Sequence, residues 1–170
     1  MEFNPQFMPD YVYTGRAVPA RGPKGMQYII DADVWTGEAN AWPAFKGDQL
    51  PFLSSCSASL KFLFITYMGL NDEAIACLKY HPEVVLISQS NHPNRLGEQR
   101  GLVHQMMKEG LKNPVVFFQH YAENEVENLQ IKAAADMGAL ILDGLCDGIL
   151  LFNQGNISPI TVDTTAFGIL

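Results

Sequence analysis

Only three cysteines, Cys56, Cys77 and Cys146, occur in 170 residues. They are odd in number and far apart, which argues against a disulfide framework and fits reduced thiols in a cytoplasm. No C-x-x-C occurs, so the closely organised thiolates of an iron–sulfur site are missing. Cations are also scarce: 11 Lys and Arg stand against 18 Asp and Glu, for a net charge of −7. Without a Lys/Arg cluster, the chain has no face to neutralise phosphates, and nucleic acid is excluded as a partner. No apolar run approaches the length of a membrane span. The first ten residues, M-E-F-N-P-Q-F-M-P-D, lack the basic and apolar regions of a signal peptide. G-x-x-x-x-G-K-[ST], G-x-G-x-x-G and G-x-S-x-G are absent, and no two of His81, His92, His104 and His120 have the i, i+4 spacing of a zinc helix. There is no repeat at a fixed period.

What remains is an ordinary globular composition, 48% hydrophobic and 17% charged, at a length that suits one domain spanning 1–170. Two parts are predicted within it. Residues 1–52 hold six of the ten prolines (Pro5, Pro9, Pro19, Pro23, Pro43 and Pro51), with Gly15, Gly22, Gly25, Gly37 and Gly47 between them. Breakers at that density forbid long helices, so this third reads as irregular. Short strands are expected at 11–13 and at 26–34, the second alternating Ile30, Ala32 and Val34 against Asp31 and Asp33 like a half-buried strand. Trp35, Trp42 and Phe45 are expected to pin the loops onto the core.

Residues 53–170 have a regular rhythm. Strands are predicted at 61–68, 83–88, 114–120 and 139–142. Helices are predicted at 71–81, 94–109 and 123–137, with Asn71 as an N-cap, Gly110 as a C-cap and Gly138 as a stop. Strand–helix alternation of this kind reads as an α/β fold of repeated right-handed βα units on a mainly parallel sheet. Four clear strands are too few for an eight-stranded barrel. A partial TIM-barrel-like or open sheet, completed by strands from the first fifty residues, is expected. Ser158-Pro159 marks the start of a last helix. Phe167, Ile169 and Leu170 then end the sequence without a polar tail, as expected of a piece of a longer chain.

The stretch 139–152, A-L-I-L-D-G-L-C-D-G-I-L-L-F, is the most telling. Read as a buried strand followed by two Asp-Gly turns, it places Asp143 and Asp147 at a strand's carboxyl end, where ligands gather in parallel α/β folds. Asp equally caps local turns. His120 at another strand's carboxyl end, His92 in a loop that could approach it, and Cys146 as a nucleophile complete one candidate site; hydrogen-bonded loop imidazoles and a packed thiol are the plainer readings. Arg95 and Arg100, in Q-S-N-H-P-N-R-L-G-E-Q-R, are candidates to hold an anion at a helix N-terminus, or serve as surface charges.

D-G-L-x-D-G-I-x-L at 143–151, followed by a helix reading F-x-I-L, is the core of a resemblance. It is joined by H-P-E-V-V-L-I-S, N-R-L-G-E-Q-R-G-L-V-H-Q, N-P-V-V-F and L-Q-I-K-A-A-A-D-M-G-A-L-I-L-D-G. Taken in order, these resemble 4-hydroxy-3-methylbut-2-enyl diphosphate synthase in its three-domain form, over residues 11–170 and most strongly from Asp72 onward. Cys146 stands where members usually have Gly, and Phe152 where they often have Glu. The resemblance implies the inserted central domain of that enzyme, between a substrate barrel and a cluster domain. It further implies a parent oxidoreductase that opens 2-C-methyl-D-erythritol 2,4-cyclodiphosphate with electrons from a [4Fe–4S] cluster. This stretch alone would be inactive, hold no cofactor and carry no catalytic residue, with the flanking domains, and a second copy in a homo-oligomer, as partners. A small autonomous α/β enzyme at the strand-end loops, and a module binding a phosphorylated metabolite, are the alternatives from the residues themselves.

Overall fold

The computed structural model describes residues 6–170. Pro5, and half of the ten-residue stretch that argued against a signal peptide, lie outside them. Among the described residues seven strands form one sheet in sequence order, and every neighbouring pair is parallel. They are β1 (Tyr11–Gly15), β2 (Gln27–Asp31), β3 (Ala41–Phe45), β4 (Lys61–Ile65), β5 (Val84–Ser88), β6 (Val115–Tyr121) and β7 (Gly148–Asn153). Helices α1 (Asp72–Tyr80) and α2 (Arg95–Glu109) follow β4 and β5, α3 (Val126–Ala133) and α4 (Ala139–Leu142) lie between β6 and β7, and α5 (Pro159–Ile169) follows β7. The chain is an α/β half-barrel, as the strand–helix rhythm predicts.

The curl shows in the side chains. A flat sheet would set β1 and β4 about 14 Å apart, three spacings of roughly 4.8 Å. Yet the Tyr13 and Phe64 rings are 5.2 Å apart, and Tyr11 and Phe62 are 5.3 Å apart, edge to face. Ile29, Ala44, Phe62, Phe64 and Ile87 fill the concave face, with Trp42, Phe118 and Leu150 partly buried against them. Alternation sends Leu63, Ile65, Leu86, Val115 and Phe117 to the convex face, where they meet Ala74, Ile75, Leu78, Leu102 and Met106 of the helices in the main core. Both faces are therefore covered, which is why these strands read as continuous apolar runs.

The first third is less irregular than the prolines imply. Its described residues supply three strands, joined by loops and one 3-10 turn (Gly47–Phe52) instead of α-helices. β3 was not expected because Pro43 lies within it. In a parallel strand, successive residues bond alternately to the two neighbours. Asn40 and Ala44 bond towards β2, so Pro43 faces β4, where the ladder begins only at Ala44. Its missing N–H costs nothing there. β2 is not half-buried as its alternation suggests. Ile29, Ile30 and Asp31 are all buried, and the Asp31 carboxylate is satisfied by the Tyr13 hydroxyl at 2.6 Å. Trp35 donates to the Ala41 carbonyl at 2.8 Å and packs beside Met26, Tyr28 and Ile30, so it does fasten a loop.

The caps behave as their residues dictate. Asn71 accepts from the Ala74 N–H at 2.9 Å, Ser158 accepts from Thr161, and Gly110 takes the left-handed φ of 72° that ends α2. On α5, one oxygen of Asp163 is buried with no partner among the described residues. Burial pushes this carboxyl's pKa above its ordinary range. The folded chain then holds the proton more tightly than the unfolded chain, so the ionised carboxylate costs stability above the raised pKa and the cost fades as pH falls through it. Asp163→Asn should raise the melting temperature at neutral pH, with the gain shrinking towards about pH 4. An equal gain at every pH would show that the charge is not the cause.

Candidate functional site

Residues 139–142 are helix, not strand. The true stop of the preceding helix is Gly144, at φ +67°, whereas Gly138 has helical torsions and lets the chain continue. A π turn at Ala134–Gly138 joins α3 to α4, and Leu140 is fully buried while Leu142 is 89% exposed, a helical and not a two-sided pattern. The Gly144 and Leu145 N–H groups close back onto the Ile141 and Leu140 carbonyls. The strand expected here is β7, nine residues later.

That shift reverses the end of the sheet at which the two acids stand. Asp147 precedes β7, and its backbone N–H donates to the Val115 carbonyl at 2.8 Å while its carboxylate accepts from the Val115 N–H at 2.8 Å. Val115 opens β6, so Asp147 clasps the amino ends of β6 and β7. Asp143, at the end of α4, pairs with the Arg100 guanidinium, both side chains partly exposed. Cys146 lies between the acids, packed against the main core, and burial raises its thiol pKa. A raised pKa keeps the thiol protonated and a poor nucleophile. Replacing Asp147 with Ala should cost about 1–3 kcal/mol, because the Val115 N–H loses its acceptor. A denaturation midpoint unmoved by Asp147→Ala would contradict the clasp.

His120 stands at the other end. It lies five residues up β6 from Val115, about 17 Å along the strand at ~3.3 Å per residue. Its ring packs 5.2 Å from that of Phe152, its register partner on β7. Asp143, Asp147 and Cys146 are thus not brought to His120. His92 closes a local turn, its Nδ1 accepting the Asn94 N–H at 3.0 Å. Arg100 is held by Asp143, whereas Arg95 has no carboxylate partner among the described residues. Arg95 Nη1 donates to Gln119 Oε1 at 3.4 Å and to the His120 carbonyl at 3.3 Å, with its guanidinium 5.8 Å from the centre of the Tyr121 ring. Gln89, Ser90, Asn91, Arg95, Phe118 and His120 line a polar depression of about 90 Å³ at these carboxyl ends.

Beneath it runs a buried chain of amides that the sequence did not announce. Gln119 donates to Gln99 Oε1 at 2.8 Å, and Gln99 donates to the Ser88 carbonyl at 2.9 Å. The available signal was Gln119 itself, a polar residue between Phe117 and Tyr121 on the covered face of β6, where a buried amide needs a partner. The three thiols fall on separate elements: Cys56 follows the 3-10 turn, Cys77 lies in α1 and Cys146 precedes β7. Among the described residues no group of three or more His, Cys, Asp and Glu can hold a metal ion. Among the described residues no helix is long and apolar enough to cross a membrane.

Acid, base and nucleophile split between two ends of a curled parallel sheet define a βα half-barrel domain with a polar mouth. No family model matches the chain, and no solved structure matches it. Curated proteins do. The chain is 70% identical over 169 residues to the 4-hydroxy-3-methylbut-2-en-1-yl diphosphate synthase (flavodoxin) of Bacteroides thetaiotaomicron, covering 99% of this chain and 28% of that protein. It is 64% identical to the synthase of the same name from Bacteroides fragilis, over 100% of this chain and 27% of that protein, and 37% identical to that of Parabacteroides distasonis over 99% and 28%. The chain belongs to this synthase family and spans about a quarter of the length of the relatives it matches.

Proposed function

We propose that residues 1–170 act as one unit, the inserted central domain of a three-domain synthase, and that the role is architectural. The domain holds a substrate barrel and an iron–sulfur domain in register, within one chain or across a dimer. The reaction served is the reductive ring opening of 2-C-methyl-D-erythritol 2,4-cyclodiphosphate in isoprenoid biosynthesis, in the cytoplasm. A [4Fe–4S] cluster held by the other domains would supply the electrons. The observation that carries this reading is the likeness along the whole chain to about a quarter of the length of synthases that share one name. In this reading the convex helices and the loops at both sheet ends set the spacing of the neighbours, and the buried core supplies the rigidity. The test is excision of the segment from the full-length enzyme. The expected product keeps the visible absorption of the cluster and loses turnover. Turnover at the parental rate without the segment would overturn the proposal.

A further inference from the structure

We infer that the depression at the carboxyl ends of β5 and β6 is a binding site for a phosphoryl group, carried by inorganic phosphate or by a small phosphorylated metabolite. The proposal is independent of the architectural role. Arg95 is the anchor. The guanidinium is fixed through Nη1 by Gln119 and the His120 carbonyl and lies beside the Tyr121 ring, which leaves Nε and Nη2 without partners among the described residues. Gln119 is itself held by the buried Gln99, so the fork is oriented from below. Around it stand Gln89, Asn91 and the His120 ring, all lining the depression. None of these three side chains has a hydrogen-bond partner among the described residues, although their neighbours on both sides are bonded. Ser90 does not contribute a proton, because its hydroxyl donates to Glu98, the carboxylate nearest along α2.

The donor count selects the ligand. Arg offers a planar pair of N–H groups, Gln and Asn offer amide donors, and His offers a ring N–H. Donors from four side chains exceed what the two oxygens of a carboxylate take in one plane, and suit the three free oxygens of a phosphoryl group. About 90 Å³ holds one such group, not a whole nucleotide, so the remainder of any metabolite extends into solvent. The place is also where parallel βα folds present ligands. The net charge of −7 opposes anions at long range, so affinity comes from these local donors.

Residue-resolved modification of arginine by phenylglyoxal in the full-length protein, read by mass spectrometry of each peptide, tests this and keeps any other phosphate site separate. Arg100, held by Asp143, is the internal reference. Inorganic phosphate or glycerol 3-phosphate at millimolar concentration should slow modification of Arg95 at least threefold, with chloride at equal ionic strength ineffective. Stronger protection by glycerol 3-phosphate assigns the site to a phosphorylated metabolite, and stronger protection by phosphate assigns it to the free ion. Asn91→Ala with His120→Ala should abolish protection, and Asn91→Ala alone should weaken it if the double variant does not fold. Arg95 modified equally fast with and without both anions, or protection that survives in Asn91→Ala and the folded double variant, would overturn the proposal.

Discussion

Replacing Gly155 with Ala is expected to destabilise the chain by about 3 kcal/mol, at the upper end of overpacking costs. A Cβ at that position would lie 1.8 Å from the Glu123 carbonyl oxygen and 2.4 Å from the carbonyl carbon. Both are backbone atoms, so no rotamer change relieves the contact. The two loops are also tied. Asn153 Nδ2 donates to the Glu123 carbonyl at 2.9 Å, the Glu123 N–H donates to Asn153 Oδ1 at 2.8 Å, and the Asn156 N–H donates to Asn124 at 2.9 Å. Moving one loop away breaks this clasp as well. Urea denaturation measures the effect, and a change under about 0.5 kcal/mol, the size of a neutral surface substitution, would show that the loops do not meet in this way.

Phe117→Ala is expected to cost about 4 kcal/mol, and Phe118→Ala less than half as much. The two neighbours point to opposite faces of β6. Phe117 is fully buried in the main core among the residues of the covering helices, whereas Phe118 only partly buries its ring against Phe64 on the concave face, at 6.3 Å. Equal losses in a paired denaturation experiment would mean that the concave face is as tightly filled as the convex one, and that the sheet is more nearly closed than a half-barrel.

The repeating βα architecture was legible because it rests on strong local signals. Asn71, Gly110 and Ser158 cap helices by short-range hydrogen bonds that need no tertiary context. The errors came where local signals are ambiguous. Ala139–Leu142 is apolar and short, and a strand and a buried helical turn look alike at that length. Gly138 was read as a stop, but only φ distinguishes a helical glycine from a capping one. Taking 139–142 as strand instead of helix shifts Asp143 and Asp147 from the amino to the carboxyl end of the sheet, and with them the expected site. Pro43 hid β3 for a comparable reason, since the neighbour a strand residue faces is fixed by topology. Arg95 and Arg100 had equal standing in the sequence. Their fates diverged through Asp143, 43 residues away from Arg100, and no spacing rule reports such a pair. Gln119 signals a buried amide, but its partner Gln99 lies 20 residues away and no spacing rule names it.

We propose that this segment serves its parent synthase by its shape and not by chemistry of its own. Turnover per folded molecule of full-length enzyme carrying Asp143→Asn and Cys146→Ser together tests it most directly. Both groups are the acid and the thiol that a catalytic reading would need, and neither substitution removes a core side chain. The account predicts kcat within about twofold of the parent, a difference under ~0.5 kcal/mol in activation free energy. A fall of a hundredfold or more in kcat, with the melting temperature and iron content unchanged, would contradict it.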